Sequence, residues 1–181
     1  MKIFAFAGTI SSQSLNKKLL QHVLSHFEDA EVDYVDLIDY EMPNFSLERE
    51  KETGVHPLAQ KFADKIDACD LIIMSLAEYN SSYTAAFKNT FDWFSRIRER
   101  KHFGEKPVFL LSTAPGPGGG VNVQNHFKER APRSGAEVIE SFVLPKFNEN
   151  FEEGKGVTNE EKRQELEQKI KNVKDWFSKE K

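Results

Sequence analysis

The stretch that decides the fold is Lys2-Ile3-Phe4-Ala5-Phe6-Ala7-Gly8-Thr9-Ile10-Ser11-Ser12-Gln13-Ser14-Leu15-Asn16. Residues 2–7 are a short apolar run that stops at Gly8. A hydroxyl-rich loop follows, and Leu15, Leu19, Leu20, Val23, Leu24 and Phe27 then mark one face of a helix. A strand, a polar loop and an amphipathic helix in that order open a βαβ unit. The apolar run is shorter than the core of a secretory leader and turns at once into loop and helix, so it reads as a strand of a cytoplasmic protein.

Working outward, the same alternation recurs. Residues 31–37 form a mixed strand suited to a sheet edge, and a long connection through Pro43, Asn44 and Phe45 reaches a helix starting near Pro57 with Leu58, Phe62 and Ile66 four apart. Residues 71–76 are almost continuously apolar, as a strand covered by helices on both faces must be. The segment 84–100 carries two adjacent stripes, Phe87, Phe91, Phe94 and Ala86, Thr90, Trp93, Ile97, an arc wide enough to pack on a partner subunit as well. Residues 107–112 and 138–144 give two further strands, separated by a Gly-rich loop and a helix around Val123 and Phe127. Thr158 and Glu161 form a capping box before a last helix whose face is Leu166, Ile170, Val173 and Phe177. The charged stretch from Glu48 to Glu52 and the tail after Ser178 read as solvated surface.

Five strands alternating with helices imply one α/β domain over residues 1–181, a doubly wound parallel sheet in the order 2-1-3-4-5 with helices on both faces. In such a sheet ligands sit beyond the carboxyl ends of the strands, at the switch point between strands 1 and 3. That rule selects the loops after strands 1, 3 and 4.

Composition removes several classes of function. A chain of 181 residues with 39% hydrophobic and 30% charged residues has no run long enough to span a membrane. A formal net charge of -4, with scattered basic residues, argues against nucleic acid. One cysteine, Cys69, allows neither an internal disulfide nor a multi-cysteine metal site. His22 and His26 lie four apart on one helix without a third ligand, and read as a surface pair; no metal is expected.

Loop one offers Thr9, Ser11, Ser14, Leu15 and Asn16 at a helix N-terminus, where hydroxyls, free N–H groups and the helix dipole hold a phosphate. Taken alone it could also be a Ser-rich turn with Ser14 as a cap. It has neither the glycine spacing of a dinucleotide fingerprint nor the ending of a P-loop. Loop two, Ala77-Glu78-Tyr79-Asn80-Ser81-Ser82-Tyr83-Thr84, supplies an aromatic ring and amides for a flat heterocycle; Glu78 reads as a carboxylate given to solvation or local hydrogen bonding, without an acid–base role. Loop three, Ser112-Thr113-Ala114-Pro115-Gly116-Pro117-Gly118-Gly119-Gly120, lets the main chain approach a ligand, and with the following helix its N–H groups suit negative charge on a reduced ring. A mobile turn is the other reading of it.

Together the three loops resemble those of the NAD(P)H-dependent FMN reductases, a flavodoxin-like family with quinone, azo-dye and chromate reductases among its members. The likeness covers residues 2–144. The family's Gly-Ser-x-Arg-x-x-Ser-x-Asn is met by Gly8, Thr9, Ser14 and Asn16, with Ser11 where the arginine would stand. Pro-Glu-Tyr-Asn-Gly-Ser followed by Lys-Asn-x-x-Asp-Trp is met by residues 77–82 and by Lys88, Asn89, Asp92 and Trp93, with Ala77 and Ser81 replacing the proline and glycine. The Ser-x-x-x-Gly-x-x-Gly-Gly loop is approximated by residues 112–120.

The resemblance implies a flavodoxin-like fold and FMN as cofactor. The flavin phosphate would sit on loop one, and the ring among Ala77, Glu78, Tyr79 and Asn80 of loop two and Ser112, Gly116, Gly118, Gly119 and Gly120 of loop three. It also implies a homodimer or dimer of dimers formed largely through the helix after Thr84, and a ping-pong cycle. In that cycle NADPH or NADH gives hydride to the flavin, and a quinone-like or other small acceptor then takes the electrons. No side chain need be catalytic, because the flavin carries the chemistry. Two alternatives share the sheet: a flavodoxin-like electron carrier, and a family member that has lost tight flavin binding through Ser11.

Overall fold

The computed structural model describes residues 1–179; of the tail expected at the surface, residues 180–181 lie outside them. Five parallel strands, β1 (Lys2–Ala7), β2 (Glu31–Val35), β3 (Leu71–Ser75), β4 (Lys106–Thr113) and β5 (Ala136–Leu144), form one sheet in the order β2-β1-β3-β4-β5. This is the flavodoxin-like arrangement. β2 occupies the edge, as its mixed composition predicts.

Strand alternation sends Phe4, Phe6, Ile72, Met74, Val108 and Leu110 to one face and Ile3, Ala5, Leu71, Ile73, Phe109 and Leu111 to the other. The first set packs under α3 (Pro57–Ala68), α4 (Ala85–Phe94) and α5 (Val121–Arg130), and the second under α1 (Leu15–Leu24) and α6 (Glu160–Lys179). The first layer is largely aromatic. Phe62 is fully buried among Phe4, Phe6, Tyr40 and Phe94, with ring centroids 5.1–5.5 Å away. Truncating such a ring to alanine costs about 3–5 kcal/mol.

Two expectations need correction. The helix foreseen over 84–100 ends at Phe94. Ser95 Oγ donates to Asp92 O at 2.8 Å in its last turn, and Glu99 takes a positive φ of 66° as the chain turns away. Of its two apolar stripes, Phe87, Thr90, Phe91, Trp93 and Phe94 are buried within the monomer and Ala86 and Ile97 are half-buried. The last helix is capped by Asn159, whose Oδ1 accepts from Lys162 N at 3.1 Å, and not by Thr158. Thr158 instead donates its N–H to Asn150 O at 2.8 Å.

The long connection after β2 is ordered by its contacts. It holds a 3-10 turn, Leu37–Tyr40, and α2 (Leu47–Thr53). Asn89 Nδ2 donates to Met42 O at 2.9 Å, Phe45 N to Asn89 Oδ1 at 2.8 Å, and Trp93 Nε1 to Pro43 O at 2.7 Å. The Lys-Asn-x-x-Asp-Trp motif thus straps this connection onto α4.

Candidate functional site

The loops after β1, β3 and β4 meet at the carboxyl edge of the sheet. Gly8 is packed so closely that a Cβ there would lie 2.9 Å from Leu76 Cδ2. Its N–H donates to Ser75 O and its carbonyl accepts from Thr84 Oγ1, each at 2.8 Å, so loop one is seated on loop two. Thr84 also caps α4 by accepting from Phe87 N at 3.1 Å. Sequence reading had no signal for this double use of Thr84.

Within loop one, Thr9 is buried and its Oγ1 accepts from Ser11 N at 3.2 Å. Ser14 is the N-cap of α1, accepting from Lys17 N at 3.3 Å. The N–H groups of Leu15 and Asn16, the first two of α1, are taken by no protein acceptor among the described residues. They carry the positive end of the helix dipole.

The Asn16 side chain is committed to the scaffold beneath. Its Nδ2 donates to Thr113 O at 3.0 Å, and its Oδ1 accepts from Ser75 Oγ at 2.8 Å and Thr113 N at 3.1 Å. One side chain thereby joins α1 to the ends of β3 and β4. Lys17, which the motif comparison did not single out, is buried and pairs with Asp36 Oδ2 at 2.5 Å. Asp36 also accepts from Ile38 N at 3.2 Å, so the pair anchors the segment after β2 to α1.

Loop two is a hairpin in which Glu78–Tyr79 pairs with Ser82–Tyr83. Its two turn residues, Asn80 and Ser81, have φ of 50° and 60°, the left-handed pair that such a tight hairpin requires. Ser81 holds a conformation that glycine would adopt without strain. Ala77 is buried, while Tyr79 is 57% exposed and leaves its ring free for a ligand.

Glu78 is hydrogen-bonded, but to partners far away in the sequence and not locally. Its Oε2 accepts from Val123 N at 2.9 Å and its Oε1 from Asn122 Nδ2 at 3.2 Å. Gly120, the N-cap of α5, has no side chain to offer, and Glu78 supplies the cap from 45 residues away. The start of α5, expected to face negative charge on a ligand, is met by the protein's own carboxylate.

In loop three the glycines divide. At Gly119, φ +58°, a Cβ would lie 2.6 Å from Val143 Cγ1 and 2.9 Å from Pro145 Cα. At Gly120, φ +84°, it would lie 3.0 Å from Ser112 Cβ. These two serve contacts of the chain with itself, and the buried Ser112 Oγ donates to Gly119 O at 2.9 Å. A Cβ at Gly116 or Gly118 would meet nothing within 4 Å, so space is open on that side of the main chain, while the Gly116 carbonyl accepts from Lys146 N at 2.9 Å and the Gly118 carbonyl from Val121 N at 3.0 Å.

The three loops therefore come together with Asn16, Glu78, Ser112, Gly119 and Gly120 bracing them, Thr9, Ser14 and Ala77 buried, Ser11 half-buried, and Tyr79, Asn80, Gly116 and Gly118 exposed. Among the described residues no group of three or more His, Cys, Asp or Glu could hold a metal ion. Burial pushes the Cys69 thiol up to about 11, which leaves it unreactive at neutral pH. No helix among them is long and apolar enough to cross a membrane.

A family model described as NADPH-dependent FMN reductase matches residues 1–149. An NADPH:quinone oxidoreductase of Arabidopsis thaliana is 28% identical over 134 residues, 71% of this chain and 65% of that protein. An NAD(P)H:quinone oxidoreductase of Solanum tuberosum is 27% identical over 174 residues, 92% of this chain and 87% of the relative. Among solved structures, a flavoenzyme NAD(P)H:(acceptor) oxidoreductase from Paracoccus denitrificans superposes with a TM-score of 0.78. At 22% identity, covering 98% of this chain and 97% of the other, that likeness speaks for the fold alone.

Proposed function

The chain belongs to the NADPH-dependent FMN reductase family, an enzyme family, and from that membership we propose that it binds FMN across its three loops and passes hydride from NADPH or NADH to a quinone-like or other small acceptor. One observation carries the reading. At the end of β1, Ser14 caps a helix start whose N–H groups at Leu15 and Asn16 have no protein acceptor among the described residues. A phosphate monoester brings the oxygens those donors lack, at the end of a dipole that favours negative charge.

The bound flavin supplies the two-electron chemistry, and the chain's task is to hold and orient it. Thr9, Ser11, Ser14 and the first N–H groups of α1 hold the phosphate. Ser11 stands where the family pattern has arginine, so the hold is by neutral hydrogen bonds, weaker than a guanidinium clamp. Tyr79 and Asn80 offer a ring face and polar groups on one side, and the bare main chain at Gly116 and Gly118 flanks the other.

Ile10 of loop one, Tyr40, Met42 and Asn44 of the strapped connection, and Ala85 and Asn89 of α4 border a cavity of about 180 Å³. The connection is in place to select which acceptor approaches. The test is FMN-dependent oxidation of NADPH or NADH by the purified chain with a quinone present. Turnover is expected; bound flavin without turnover would favour the electron carrier instead.

A further inference from the structure

A second set of unused groups lies away from the three-loop crevice. Between the loop-two hairpin, α4, α5 and the turn after α5 is a cavity of about 410 Å³ lined by Tyr83, Lys88, Phe91, His126, Arg130 and Arg133, with Glu129 its one carboxylate. Lys88 is engaged by Asp92 at 2.7 Å. Arg130 and Arg133 make no ion pair or side-chain hydrogen bond with any described residue. The Tyr83 hydroxyl is buried and has no hydrogen-bond partner among the described residues, an unusual state for a buried phenol. Burial pushes its pKa up to about 12 against the opposing field of Arg130, so it remains a proton donor at neutral pH.

We propose that this cavity binds a phosphomonoester dianion, and that the 2′-phosphate of NADPH is its source. The second half rests on the function proposed above. Two guanidinium groups match phosphate oxygens in paired hydrogen bonds, and the orphaned phenol adds a third donor. Lys88, Arg130 and Arg133 outweigh Glu129 and Asp92 in charge, which suits a dianion. Position agrees with the chemistry. Tyr83 pairs with Glu78, and Glu78 caps α5, so the cavity is tied directly to the crevice. From Val121 to Arg130 the axis of α5 runs about 13 Å. A dinucleotide with its nicotinamide in the crevice and its adenosine end laid along α5 brings the 2′-phosphate to the two arginines.

The test is calorimetric titration of the full chain, without FMN, by adenosine 2′,5′-bisphosphate, 5′-AMP and inorganic phosphate. Wild type should bind the bisphosphate at least tenfold more tightly than 5′-AMP. That preference should collapse in Arg130→Gln/Arg133→Gln and fall severalfold in Tyr83→Phe, with FMN titration of the arginine variant unchanged. Inorganic phosphate bound as tightly as the bisphosphate, with the same arginine dependence, would keep the anion site and overturn its assignment to the coenzyme. Equal binding of bisphosphate and 5′-AMP, unaltered in both variants, would overturn the site itself. Because no flavin is present, failure of FMN binding and failure of this site are separate results.

Discussion

Replacing Asn16 by alanine separates scaffold from ligand contact in loop one. The side chain makes three buried hydrogen bonds, to Thr113 O, Thr113 N and Ser75 Oγ. Each is worth about 1 kcal/mol net, and stranding a buried backbone N–H or carbonyl costs about 1–3 kcal/mol. Asn16→Ala should therefore cost about 3–5 kcal/mol, a large part of the roughly 5–15 kcal/mol that holds a domain folded. Urea unfolding followed by fluorescence of the buried Trp93 would read this as a midpoint lowered by about 1.5–2.5 M, for a slope near 2 kcal/mol per M. Ser75→Ala removes one of the three bonds and should cost about 1 kcal/mol. The double variant should be less destabilised than the sum by a similar amount. A cost under about 1 kcal/mol for Asn16→Ala, or strict additivity with Ser75→Ala, would refute the clamp.

Three other perturbations bear on the braces of the site. Glu78→Ala removes a cap and a favourable charge from the start of α5 and should cost about 1–2 kcal/mol, with faster amide exchange at Val123; Glu78→Gln should recover part of the loss. Gly119→Ala, where a Cβ meets Val143 and Pro145, should destabilise strongly, whereas Gly118→Ala, with nothing within 4 Å, should lie within about 0.5 kcal/mol of wild type by thermal melting. Burial and then the neighbouring His26 hold the His22 pKa below its usual 6.5. The unfolded chain takes up this proton first, so the contribution is whole above pH 6.5 and is lost as pH falls toward the folded value. Urea midpoints above and below pH 6.5 should show a smaller difference in His22→Gln than in wild type.

The sheet was legible because its signal is local. The runs at 3–7, 71–74 and 107–111 are apolar at consecutive positions, as a strand covered on both faces requires. Strand order and the switch-point rule then placed three loops of unusual composition at one edge. What escaped the sequence was long-range satisfaction of polar groups. Asn16 lies 97 residues from Thr113, and Glu78 lies 45 from the helix it caps. Nothing in local composition separates a bracing carboxylate or amide from a ligand-facing one. Much of the apolar breadth of α4 meets the connection at residues 42–45 and the aromatic layer beneath it, contacts that lie outside the helix's own sequence.

Absorbance titration of the purified chain with FMN, followed by gel filtration to remove unbound flavin, tests the central claim most directly. One FMN retained per chain, with its visible band shifted from that of free flavin and the retention weakened in Ser14→Ala, is the expected result. A chain that stays colourless after incubation with excess FMN would contradict it.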